Sequence, residues 1–70
     1  MANVTDNNLA LAFAAESKAA ARNSAFALKA QSEGYPLIAH LFRAVAEAES
    51  VHARRYLGLL LVCVAIEGLR

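Results

Sequence analysis

At about 100° per residue, Leu9, Ala12, Phe13, Ala20 and Ala27 fall along one face of a helix, and Ile38, Phe42, Val45 and Tyr56 along one face of a second. Helix-favouring residues start after Thr5, whose hydroxyl is placed to cap the amides of Asp6, Asn7 and Asn8, with the Asp6 carboxylate at the positive end of the dipole. From about residue 6 to 33 the chain is mostly Ala, Leu, Lys, Glu and Arg, free of proline and glycine. Glu33-Gly34-Tyr35-Pro36 then sets a glycine where a helix can end in the left-handed conformation and a proline where the next can begin. The second helix is predicted from about 36 to 66, with Gly58 as its weak interior residue. So short a connection makes the two helices antiparallel neighbours, an all-α hairpin in a single domain over residues 1–70, with no internal repeat and no linker. Ala12, Ala19, Ala20, Ala27 and Ala30 lie on or beside one face of the first helix, where small side chains let helix axes approach closely; alanine also favours helix for its own sake.

Two helices cannot enclose a core, and a lone 70-residue chain is short of one in any case. With Cys63 as the single cysteine, an intrachain disulfide is excluded, which leaves oligomerisation or metal ligation as support. The hydrophobic share is 59%, dominated by alanine and leucine, with aromatics at 7% and no tryptophan, which favours helix over sheet. Seven basic against six acidic side chains give a net charge of +1, no electrostatic footprint for nucleic acid. The start of the chain lacks the basic region of a signal peptide, and the longest apolar run, Tyr56 to Ile66, is well short of the roughly 20 residues that span a bilayer. The expectation is a cytoplasmic protein without a membrane segment.

The candidate chemistry lies on the apolar stripes. Glu16 and Asn23 share one face of the first helix, and Glu49 and His52, at i and i+3, project to one side of the second. At about 1.5 Å per residue, Glu16 stands roughly 25 Å from the turn, Glu49 roughly 20 Å and His52 roughly 24 Å. Inward carboxylates at one height must neutralise each other, protonate or bind a cation. Di-iron bundles of the ferritin-like type take a Glu from each of two helices and a Glu-x-x-His from each of two others. This chain holds one of each, so a two-fold dimer would supply four carboxylates and two imidazoles, a set suited to iron or manganese, with zinc as a substitute.

The segments Asn8 to Ser17, Glu33 to Ala39 and Phe42 to Ala53, within a stretch from about Thr5 to Leu60, resemble the N-terminal half of rubrerythrin. The resemblance implies a ferritin-like di-iron site with Glu16 as a terminal carboxylate ligand, Glu49 as a bridging ligand and His52 as the imidazole ligand. It also implies reduction of hydrogen peroxide to water, with electrons from a rubredoxin-type donor. Three departures stand out. The family's second helix pair is missing, so a full site requires assembly into a four-helix bundle. There are no paired Cys-x-x-Cys motifs, so the donor must be a separate protein. Asn23 stands where the family commonly has a tyrosine, seven residues beyond the first ligand. A ferroxidase or iron-handling role would use the same ligands, and a degenerate hairpin whose role is association is the non-catalytic rival.

Elsewhere the expectations are plain. His40 and Glu47 lie on the outer face, Arg54 and Arg55 are solvated or paired with acidic groups, and Glu67 is too far along to join the site. Cys63 reads as a small buried hydrophobe, with an intersubunit disulfide as the alternative, and Tyr56 as packing or as a hydrogen-bond donor near the metals. The tail from Leu59 to Ile66 is apolar all round; it is either covered by another chain or the scar of a truncated or shifted reading frame.

Overall fold

The computed structural model describes residues 4–69, and within them the chain is two helices, α1 (Val4–Ser32) and α2 (Pro36–Gly68), with no strand. They lie side by side as an antiparallel hairpin 55 Å long and 14 by 12 Å across. Both helices extend two residues beyond their expected outer ends. The extension of α1 overturns the expected Thr5 cap: Thr5 is already helical, so its hydroxyl cannot serve as the cap, and the capping position falls outside the described residues. Asp6 does lie in the first turn, beside the positive end of the dipole, and is buried.

The turn forms through backbone hydrogen bonds. The Tyr35 amide donates to the Ala30 carbonyl at 2.9 Å and the Gly34 amide to the Gln31 carbonyl at 3.2 Å, the paired closure of a Schellman motif. That closure needs a left-handed residue, and Gly34 takes φ +85°. Pro36 then opens α2 at a position where a missing amide hydrogen costs nothing. A Cβ at Gly34 would meet no atom, so Gly34→Ala isolates the backbone strain. It is expected to destabilise by about 1 kcal/mol in urea titration; unchanged stability would mean that the turn relaxes at no cost.

The helices meet along a seam of alanine. Ala20, Ala27 and Ala30 of α1 and Ala39, Ala46 and Ala53 of α2 are the buried hydrophobic residues among those described. Ala20 and Ala27, and likewise Ala39, Ala46 and Ala53, repeat every seven residues, the period that keeps one stripe facing a neighbouring helix along its whole length. Phe26 and Phe42 flank the seam with ring centroids 5.3 Å apart. Large aliphatic side chains remain outside it, Leu28 at 70% and Leu41 at 65% exposure, along with Ile38, Val45 and Leu59. In the tail, Leu61, Val62, Val64 and Ile66 are exposed as well. Cys63, expected as a buried hydrophobe, is half-buried with a free thiol. Among the described residues no helix is long and apolar enough to cross a membrane.

Candidate metal centre

Glu16 and His52 come together across the hairpin, as their equal heights require. His52 Nδ1 lies 3.7 Å from Glu16 Oε1. That is too long for a hydrogen bond, and the contact is an ion pair only when the imidazole is protonated. The side chains are 51% and 27% exposed, so the pair adds little to stability.

Glu49 takes a different partner. Asn23 Nδ2 donates to Glu49 Oε1 at 2.6 Å, in a part-buried setting. The axial count places Asn23 roughly 15 Å and Glu49 roughly 20 Å from the turn, and that offset hides the contact in the sequence. Helical side chains lean toward the N-terminus of their own helix. In an antiparallel hairpin Asn23 therefore leans away from the turn and Glu49 toward it, and the offset closes. The signal was available in the spacing together with the direction of lean.

The three expected ligands thus share one band, but on an open flank beside the alanine seam rather than in an interior. His52 is exposed and Glu16, Glu49 and Asn23 are half-buried. The physical reason is the close approach of the helices: residues one step off the alanine stripe stand at the edge of the contact. Among the described residues no group of three or more His, Cys, Asp or Glu is gathered closely enough to hold an ion. The donor chemistry nonetheless fits a transition-metal ion, with carboxylate oxygen and imidazole nitrogen facing each other. The hairpin brings Glu16 and His52 face to face, and no third such group is gathered with them among the described residues.

The other charged residues expected at the surface are found there. His40 is exposed, Arg54 lies 3.7 Å from Glu47 with both side chains largely in solvent, and Lys29 pairs with Glu33 at 3.0 Å. Tyr56 is half-buried one turn beyond His52.

Antiparallel helices carrying a carboxylate on one and Glu-x-x-His on the other define a helical protein with the ligand types of a carboxylate-bridged metal centre. The family model described as Rubrerythrin matches residues 7–61, and the chain belongs to the rubrerythrin family. It is 45% identical over 56 residues to the rubrerythrin of Porphyromonas gingivalis, covering 80% of this chain and 28% of that protein. It is 41% identical over 56 residues to rubrerythrin-1 of Clostridium acetobutylicum, covering 80% of this chain and 29% of that protein. The chain therefore spans less than a third of the length of the curated relatives it matches. No solved structure matches it.

Proposed function

We propose that this chain is half of a di-iron centre, completed by a second copy across a two-fold axis, and that the assembled four-helix bundle reduces hydrogen peroxide or oxygen with electrons from a separate rubredoxin-type donor. The observation that carries this reading is the meeting of Glu16 and His52 at 3.7 Å, with Glu49 one turn away on the same open flank. Glu16 would act as a terminal carboxylate ligand, Glu49 as the bridging carboxylate and His52 through the imidazole nitrogen that faces Glu16. Four carboxylates from two copies balance the charge of two divalent ions, and without the ions the same carboxylates would repel one another in a closed interface. Bound iron would supply Lewis-acid polarisation and one-electron redox capacity, with manganese or zinc able to occupy the same donors.

The chain's own residues shape that chemistry in three ways. Val45, one turn before Glu49, and Leu59, two turns beyond His52, lie on the same face of α2 and, once covered by the second copy, would exclude water from the ligands between them. Asn23 donates to one oxygen of Glu49 and leaves lone pairs on both oxygens for metal. The alanine seam holds α1 and α2 at a short, fixed spacing.

The test is iron content together with solution mass. The expected result is two iron ions per dimer, at least halved in Glu16→Ala and in His52→Ala. An unchanged iron stoichiometry in both variants would show that these side chains are not ligands. Steady-state peroxide consumption with an added electron donor separates this reading from ferroxidase chemistry, which would accumulate ferric mineral instead. The large apolar residues left exposed favour a second reading, a helical association module with metal serving only stability. A metal-dependent dimer with no turnover would select it.

A further inference from the structure

We propose that Asn23 is a positioning residue for Glu49, orienting that carboxylate for a metal ion without contributing a ligand, a redox-active group or an exchangeable acid of its own. The inference rests on the proposed metal-binding reading. Only the amide NH2 of an asparagine can face a carboxylate, so the 2.6 Å contact is Asn23 donating to Glu49 Oε1. An ionised carboxylate has about four lone-pair positions over its two oxygens. The amide uses one of them on Oε1 and leaves the second position on Oε1 and both on Oε2 open for cations.

Glu49 has several rotatable bonds and, without a partner, would sample many orientations on a half-open surface. Asn23 removes that freedom before any ion arrives. The donor comes from α1, across the alanine seam, so the carboxylate is fixed relative to Glu16 on that same helix. One contact thereby sets two ligands from different helices in register. Outer hydrogen bonds of this kind to metal-binding side chains are typically worth about 10–100-fold in metal affinity.

The experiment titrates the full chain with cobalt(II), whose visible absorption reports coordination geometry, and follows the thermal melting of the metal-free protein. Asn23→Leu removes the donor at similar size. It is expected to bind cobalt about 10–100-fold more weakly, with an altered visible spectrum. Its metal-free melting should be no lower than that of the unaltered chain. Asn23→Gln restores an amide donor and should recover most of the affinity. Equal affinity and an identical spectrum in Asn23→Leu would overturn the inference, as would a loss that Asn23→Gln does not reduce at all. Glu16→Ala is the control: if it loses cobalt while Asn23→Leu does not, the role of Asn23 fails and the metal site stands. If the unaltered chain binds no cobalt, both fail.

Discussion

Stripping metal from the loaded protein with a chelator is expected to lower its melting temperature by about 10 °C or more and to make the midpoint strongly dependent on protein concentration. The expectation follows from how little the hairpin holds by itself. The buried hydrophobic residues among those described are alanines, each with a single methyl group to remove from water. An ion that binds only the assembled state stabilises it by mass action, about 4 kcal/mol per site at a free concentration a thousandfold above Kd. Carboxylates gathered without a cation add repulsion to the metal-free form. The check is calorimetry or circular dichroism at two protein concentrations, with and without chelator. Identical curves in all four conditions would sink the proposed centre as a structural element.

A double substitution, Ile38→Lys with Val45→Lys, is expected to abolish the proposed dimer and most of the helix content at micromolar concentration. Both residues precede Glu49 on the same face of α2, by three turns and by one, and each is close to half exposed in the hairpin, at 46% and 48%. Covering the exposed half of such a side chain contributes about 0.7–1.5 kcal/mol, and a two-fold interface repeats every contribution. Lysine replaces that gain with a charge that must be desolvated near a second copy of itself. Leu11→Lys, at an exposed position of α1 roughly opposite Glu16, is the companion substitution and should change stability by less than about 0.5 kcal/mol. Sedimentation of the double variant as a fully helical dimer would place the association surface elsewhere.

The hairpin itself was legible in the sequence because its determinants are local. Gly34 and Pro36 mark the turn, and an unbroken run of helix formers on either side leaves no competing element. The N-terminal boundary was misread at Thr5, since a hydroxyl that can cap a helix is also tolerated inside its first turn. The meeting of Glu16 with His52 followed from counting residues away from the turn. The pairing of Asn23 with Glu49 did not, because a count along the axis ignores the direction in which side chains lean. Nor does periodicity alone distinguish a stripe buried within the hairpin from one at its edge. Ala46 and Val45 are adjacent in sequence, yet the first is buried in the seam and the second open to solvent.

A contact made of methyl groups also has no rotamers. Leucine or methionine between two helices can change shape and let the axes drift, whereas alanine brings backbone almost against backbone and leaves no slack. The distance from the Glu16 row to the Glu49 and His52 row is therefore set by contacts that rotamer changes within the seam do not alter.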